Sequence, residues 1–113
     1  MTAPIIDAAT FVELQASAGA DFVGELVDTF LEEAPIMLAE LKRALAADEA
    51  EPFRRAAHSL KSNAHTFGAL ALGAMARELE LGGLDAGRPP GALRRLDQEY
   101  ECAAAALTEL RDG

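Results

Sequence analysis

Four polar residues near the middle of the chain have the types and spacing of a reactive helical face. They are His58, Lys61, Ser62 and His65, with Arg54 one turn upstream. At about 100° per residue they share one sector of a helix, where residues three and four apart are neighbours. Lys61 and Ser62 can therefore reach a group carried by His58. A neutral imidazole is a nucleophile toward activated phosphoryl groups, and an ammonium can stabilise the anion that forms.

The charge around these residues differs from the charge of the whole chain. The chain has 10 Lys and Arg against 19 Asp and Glu, a net charge of −9, yet no acidic residue lies between Glu51 and Glu78. This acid-free window contains both histidines. The window is either a surface that accepts anions or an ordinary solvent-exposed helix face that happens to carry cations. Residue patterns alone leave both interpretations open.

The other side of the same segment is apolar, which predicts a helix packed on a core. The predicted inner face comprises Phe53, Ala56, Ala57, Leu60, Ala64 and Phe67. Asp48-x-x-Glu51 has the pattern of a capping box at the start of this helix. Gly68 is predicted as the residue just past its end, where glycine is favoured. The helix should therefore hold its imidazole and ammonium toward water.

Two helices are predicted upstream. The first begins at Asp7 or Thr10, either of which could cap it, and ends at Gly19. The second begins with Asp21 as its N-cap and ends at 46–47. Its predicted inner face comprises Phe22, Leu26, Phe30, Ile36, Leu38, Leu41 and Leu45. Pro35 interrupts this pattern, which predicts either a kinked helix or two abutting helices.

Two more helices are predicted downstream. One carries Leu72, Met75 and Leu79 and stops at Gly82-Gly83. Residues 82–91 hold four of the nine glycines and two prolines, which predicts a loop. A last helix is predicted from Ala92 to Leu110. We expect an all-α fold: an antiparallel four-helix bundle with an additional short N-terminal helix, forming a single domain over residues 1–113.

Composition excludes several classes of protein. No apolar run approaches the ~20 residues of a membrane span, and the N-terminus lacks the pattern of a secretory signal. The single Cys102, predicted to be buried, suits a reducing cytoplasm. The acidic net charge argues against nucleic acid as a partner. There is no P-loop to bind the phosphates of a nucleotide, and His58 and His65 are spaced too widely to share one metal ion.

The central segment resembles the signature of histidine-containing phosphotransfer (HPt) domains. His58-x-x-Lys61-Ser62 followed by Gly68 is similar to the family pattern H-x-x-K-G/S with a glycine ten residues after the histidine. Ala56-Ala57 and Phe67-Gly68-Ala69 also match the usual pattern. The resemblance covers essentially the whole chain, and it implies the helical bundle that the residue patterns predict.

The resemblance implies a phosphorelay intermediate that carries a phosphoryl group between receiver-domain aspartates. His58 would be the phospho-accepting nucleophile and Lys61 would stabilise the phosphoryl group, with Arg54, Ser62, His65 and Gly68 as binding residues. The expected partners are response-regulator receiver domains and a hybrid sensor histidine kinase. No cofactor is expected on this chain, and Mg²⁺ is expected on the receiver. The chain is expected to be a cytoplasmic monomer, and Met1 with the short termini favours a free-standing protein.

Two residues depart from the family pattern. His65 stands where a small residue is usual, and it could contact the partner, accept phosphate weakly or be a solvated surface residue. Glu80 stands where relatives often have glutamine, and it could anchor Lys61 or oppose the phosphoryl group. Two other classes of function remain open: an adaptor that binds partners without phosphotransfer, and an enzyme or metal-binding four-helix bundle.

Overall fold

The computed structural model describes residues 5–112, and this part of the chain is all-α. Six helices are separated by short connections: α1 Ala8–Ala18, α2 Ala20–Ala46, α3 Ala50–Thr66, α4 Leu70–Gly82, α5 Leu84–Gly87 and α6 Ala92–Asp112. Within residues 5–112, no helix is long and apolar enough to cross a membrane. The predicted fold class is confirmed.

Four of the helices form the bundle that the sequence predicts. α3 packs between α2 and α4, and α6 closes the bundle against both of them, while α1 packs on α2 and α3. Three-residue connections on either side of α3 make its neighbours antiparallel to it. The largest fully buried side chains are Phe30, Phe53, Leu41, Leu60, Leu72, Leu96, Leu107 and Val27. One continuous apolar core therefore supports α3.

α3 follows the predicted division into two faces. All six residues of its predicted inner face are buried, Phe67 lying just beyond the last turn. Gly68 follows with φ +80°, and a Cβ there would lie 2.9 Å from the carbonyl oxygen of Asp7. The Asp7 N–H donates to the Gly68 carbonyl at 2.8 Å, and the Asp7 side chain caps α1 by accepting from the Thr10 N–H. Gly68 thus joins the end of α3 to the start of α1.

α2 is one continuous helix that includes Pro35, so the prediction of two abutting helices is wrong. A proline cannot donate to the carbonyl four residues earlier, here that of Leu31. The Tyr100 hydroxyl, from α6, donates to this carbonyl across 3.4 Å. Tyr100 also packs edge-on against Phe30, with ring centroids 6.0 Å apart. Tertiary contacts from α6 therefore support α2 at the point where one of its own backbone hydrogen bonds is missing.

Several sequence predictions about helix ends are wrong. No side chain caps the start of α3: Glu49 is the N-cap residue, Asp48 has φ +59°, and Glu51 pairs with Arg54. The predicted capping box fails because the chain turns at Asp48 and the Asp48 carboxylate binds Arg88 instead. α2 begins after Gly19, so Asp21 lies inside its first turn.

Three further predictions need correction. Phe30, Leu38 and Leu41 of the predicted inner face of α2 are buried, but Phe22 is about half exposed and Ile36 is 68% exposed. Val23 and Val27 face the core in the first turns, one residue further along than predicted. The predicted loop 82–91 contains the one-turn helix α5. Cys102 is exposed, on the outer side of α6.

Candidate functional site

The His58 side chain lies on the solvent side of α3, at the middle of the helix. Ala57 and Leu60, its neighbours on the inner side, are fully buried and fix the rotation of the helix. As a result the imidazole is 54% exposed. A partner could therefore approach the ring without unfolding any part of the bundle.

One carboxylate, that of Glu80, joins the two residues of the predicted motif. Glu80 lies on α4, which packs along α3. Its Oε2 is 2.7 Å from His58 Nδ1, and its Oε1 is 2.7 Å from Lys61 Nζ. Only 14% of the Glu80 side chain is exposed, so the carboxylate is held between the two helices. The geometry agrees with the first of the two roles that the sequence left open, an anchor for Lys61.

The ionisation of Glu80 fixes which imidazole nitrogen carries the proton. The Lys61 ammonium, followed by the hydrogen bond from His58, lowers the pKa of Glu80 below its ordinary 4.5. Glu80 is thus a carboxylate near neutral pH and can only accept hydrogen bonds. His58 Nδ1 must be the donor in this contact, so the hydrogen-bond network assigns the proton to Nδ1. In the neutral ring Nε2 then holds the lone pair and can act as a nucleophile.

Lys61 is the least exposed of the polar residues on this face. Its side chain is 23% exposed and is held at Glu80. An ammonium has three N–H donors, so it can bind Glu80 and still donate to another anion. The arrangement can supply a nucleophile and a charge-assisted donor on adjacent turns of one helix.

The other predicted site residues occupy different surroundings. Arg54 is exposed and binds Glu51 at 2.5 Å, and Ser62 is exposed one turn beyond His58. His65 is exposed, and its ring lies over Gly73 of α4, where a Cβ would come within 2.4 Å of it. Gly68 is buried at the contact with α1, away from solvent. The structure therefore gathers His58 and Lys61 around Glu80, while Gly68 has a structural contact.

Glu80 was noted in the sequence but not included among the predicted site residues. Its distance of 22 residues from His58 gives no local pattern, and only the packing of α4 on α3 brings the two together. Within residues 5–112, no group of three or more His, Cys, Asp or Glu side chains could hold a metal ion.

The fold and the site define a helical-bundle phosphotransfer module that presents an exposed imidazole. The chain belongs to the Hpt domain family, whose model matches residues 25–113. The chain is also similar to histidine-containing phosphotransfer protein B (HptB) from Pseudomonas aeruginosa PAO1. The TM-score to that crystal structure is 0.85 at 27% sequence identity, over 98% of this chain and 97% of that one. The search of curated proteins gave no match.

Family membership assigns the chain to histidine phosphotransfer in phosphorelays. Hpt domains interact in general with the kinase and receiver proteins of such relays. These findings confirm the family that the His58-x-x-Lys61-Ser62 motif resembles.

Proposed function

We propose that the chain shuttles a phosphoryl group between receiver-domain aspartates through a phosphohistidine at His58 Nε2. The observation that carries this proposal is the contact of Nδ1 with the Glu80 carboxylate, 2.7 Å away on the side of the ring away from Nε2. It leaves Nε2 with the lone pair on a ring that is more than half exposed. Glu80, which is itself held by Lys61, keeps the ring in this state before any partner arrives.

The transfer step is a displacement at phosphorus. The Nε2 lone pair forms the N–P bond while the bond between phosphorus and the aspartyl oxygen of the receiver breaks, and the receiver carboxylate leaves with the electron pair. The ring keeps its Nδ1 proton and gains positive charge. The Glu80 carboxylate stabilises that charge through the same hydrogen bond, since a bond to an ionised partner is stronger than a neutral one. Transfer to a second receiver reverses these changes.

Lys61 and Ser62 are the proposed donors to the phosphoryl oxygens. Lys61 lies three residues and Ser62 four residues after His58, on the adjacent turn of α3. Lys61 keeps its contact with Glu80 and uses a remaining N–H. Mg²⁺ on the receiver would neutralise charge during transfer. Arg54 and His65 lie on the same face of α3, one and two turns from His58, and are exposed to a docked partner.

Transfer from a radiolabelled, phosphorylated receiver domain tests the proposal. Receivers from the same genome are phosphorylated, purified and mixed with the wild-type chain, with His58→Gln or with His65→Gln. We expect label on the wild type and on His65→Gln but none on His58→Gln. His58→Gln should unfold at the wild-type temperature, because the ring is more than half exposed and Glu80 keeps its contact with Lys61.

The three variants also separate the alternatives. If His58→Gln takes up label and His65→Gln does not, the phosphoryl group is accepted by His65 and the assignment of His58 is wrong. A wild-type chain that binds receivers but takes up no label from any of them would be an adaptor, which would contradict the proposal.

A further inference from the structure

Two ion pairs flank the His58 ring, one on each neighbouring turn of α3. Arg54 lies four residues before His58 and about 40° around the helix, and Lys61 lies three residues after it and about 60° around in the same direction. Each cation is bound by a carboxylate: Arg54 by Glu51 at 2.5 Å, and Lys61 by Glu80 at 2.7 Å. In the unphosphorylated protein, both of these cations are therefore neutralised.

The charges around Arg54 agree with its place on the α4 side of the ring. The hydrogen bond with Glu51 raises the pKa of Arg54, and the negative charge of Glu80 contributes in the same direction. Glu80 is the carboxylate that contacts His58 Nδ1. Arg54 therefore lies within electrostatic range of the group that holds the ring.

The two ion pairs differ in how strongly their surroundings hold them. The Lys61 and Glu80 side chains are only 23% and 14% exposed, and they join two helices. The Arg54 and Glu51 side chains are 48% and 60% exposed, and they lie three residues apart on one helix. An ion pair so exposed to water is weak and is easily exchanged for a stronger one. The pair of Arg54 and Glu51 is therefore the one that can open.

A phosphoryl group beside Arg54 offers it a stronger partner than Glu51. Such a group on a side chain carries a charge of about −1.5 to −2 near neutral pH. A guanidinium binds phosphoryl oxygens through paired N–H donors, and the greater negative charge attracts it more strongly than one carboxylate does. Glu51 keeps a positive neighbour when Arg54 leaves, because Arg55, after Arg54 itself, also lowers the pKa of Glu51 through its charge.

From this arrangement we propose that Arg54 exchanges Glu51 for the phosphoryl group when His58 is phosphorylated. Glu51 is the counter-ion of Arg54 in the resting protein, and Arg54 becomes a second cation on the phosphoryl group beside Lys61. No covalent bond changes in this exchange, since the guanidinium N–H groups only change their acceptor. The inference rests on the proposed function for the phosphoryl group on His58. It adds two residues that set how much of the phosphoryl group this chain retains at equilibrium with a receiver.

The equilibrium distribution of label between a receiver and the full chain tests the exchange. The two proteins are mixed far below the Kd of their complex, and label lost as inorganic phosphate is counted separately. The ratio of labelled chain to labelled receiver then reports the stability of the free phosphohistidine and does not depend on docking contacts.

The two partners of the ion pair should change this ratio in opposite directions. We expect Arg54→Gln to lower it about threefold to tenfold, because the phosphoryl group loses a charge-assisted donor at an exposed site. Glu51→Gln should raise it about twofold to fivefold, because Arg54 no longer has to leave a carboxylate. Both substitutions break the same ion pair, so a pair that only stabilises α3 would give effects of the same sign.

Two exposed substitutions with the same changes of charge serve as controls. Arg94→Gln removes a cation from α6. Asp85→Asn removes a carboxylate from another exposed pair with an arginine three residues away, Arg88. Both variants should keep the wild-type ratio.

The exchange can also be followed at the guanidinium itself. In ¹⁵N spectra of the full chain, the Nε–H signal of Arg54 is assigned by its absence from Arg54→Gln, and it should shift when His58 is phosphorylated. A signal that phosphorylation leaves unchanged would overturn the proposal. Changes of the same sign in Arg54→Gln and Glu51→Gln, or ratios equal to those of the two controls, would also overturn it.

The two proposals fail differently. Label on His58 with a ratio that neither Arg54→Gln nor Glu51→Gln alters would remove the exchange and leave His58 as the acceptor. A wild-type chain that takes up no label from any receiver would remove the proposed function, and the exchange with it.

Discussion

His58 and His65 lie two turns apart on the same face of α3, yet their surroundings differ. His58 Nδ1 contacts a carboxylate that is itself held by Lys61, whereas the His65 ring packs against Gly73. Only the first arrangement fixes a tautomer and supplies a counter-charge for a ring that becomes positive on phosphorylation. The distinction between the two histidines arises from α4, since Glu80 and Gly73 both belong to that helix.

The charge of Glu80 should matter more than its ability to accept a hydrogen bond. Glu80→Gln can still accept from Nδ1 but carries no charge, so we expect phosphotransfer about tenfold slower and a shorter phosphohistidine lifetime. Glu80→Ala loses both contributions and should be slower still. Rates are measured with a labelled receiver. Glu78→Gln, an exposed change on the same helix, is the control, and equal rates for the two Gln variants would show that Glu80 has no such role.

At the scale of the helices, α2 shows how a tertiary contact replaces a local one. The Tyr100 hydroxyl donates to the carbonyl of Leu31, which Pro35 leaves without its usual donor. Burial raises the pKa of Tyr100, so this hydroxyl remains protonated over the whole neutral range. The hydrogen bond is long, at 3.4 Å, and its contribution should lie at the low end for such bonds.

A double-mutant cycle measures this compensation. Tyr100→Phe should lower the free energy of unfolding by about 0.5–1 kcal/mol. Pro35→Ala restores an N–H donor to the Leu31 carbonyl, so it should stabilise the protein and reduce the cost of Tyr100→Phe. Urea unfolding of the wild type, the two single variants and the double variant gives the coupling free energy. Additive effects would mean that the Tyr100 hydroxyl does not bind the Leu31 carbonyl in place of the missing N–H.

The turn after α3 makes a second prediction at this scale. Gly68→Ala should destabilise the protein by about 1–3 kcal/mol, because the residue has φ +80° and its Cβ would crowd Asp7 and Thr10. Gly91→Ala is the control. Gly91 has φ +84°, but its nearest neighbour is the end of the Arg95 side chain at 3.5 Å, so its change should cost only the backbone strain. Equal decreases in the thermal unfolding temperature of the two variants would contradict the contact of Gly68 with α1.

The sequence predicted those elements whose signal is local. The periodicity of α3, the glycine after it and the caps of α1 depend on neighbours within a few residues, and they are confirmed. The start of α3 was wrong because Asp48 binds Arg88, 40 residues away. The predicted stripe of α2 was wrong at its start because Phe22 and Val23 are both apolar, and only packing decides which of them is buried.

At the site, the same limit applies. The sequence could identify His58 and Lys61 because three-residue spacing places them side by side on any helix. It could not decide the role of Glu80, which depends on how α4 rotates against α3.

At the scale of the whole molecule, the apolar core supplies most of the stability and the charged surface contributes little to it. The buried residues from all the long helices form one cluster, whereas the ion pairs that link α2 to α6, such as Lys42 with Asp97 at 2.7 Å, are exposed. Exposed pairs contribute little to stability. Most surface substitutions near His58 should therefore change binding or transfer and leave the fold intact.

Acid should destabilise the protein through a small set of carboxyl groups. Hydrogen bonds from Thr10 lower the pKa of Asp7, and Arg43, Arg54 and Lys61 lower the pKa values of Glu40, Glu51 and Glu80 respectively. A carboxyl group whose pKa is lower in the folded protein than in the unfolded chain stabilises the fold when it is ionised. This stabilisation is fully present above the ordinary pKa of 3.8 or 4.5, and it is lost as the pH falls through the pKa of the folded state.

The free energy of unfolding should therefore be constant near neutral pH and fall between about pH 5 and pH 3. Urea unfolding across this range measures the slope. Glu80→Gln removes one contributor, so its curve should be shallower and should approach the wild-type curve in acid. Parallel curves for the two proteins would contradict the ionised state of Glu80.

The most direct test of a phosphohistidine at His58 Nε2 is ¹⁵N and ³¹P NMR of the imidazole rings, before and after phosphotransfer from a receiver. We expect neutral His58 to carry its proton on Nδ1, and the phosphorylated chain to show ¹⁵N–³¹P coupling at Nε2 of His58. A proton on Nε2 of the free ring, or coupling at Nδ1 or in His65, would contradict this assignment.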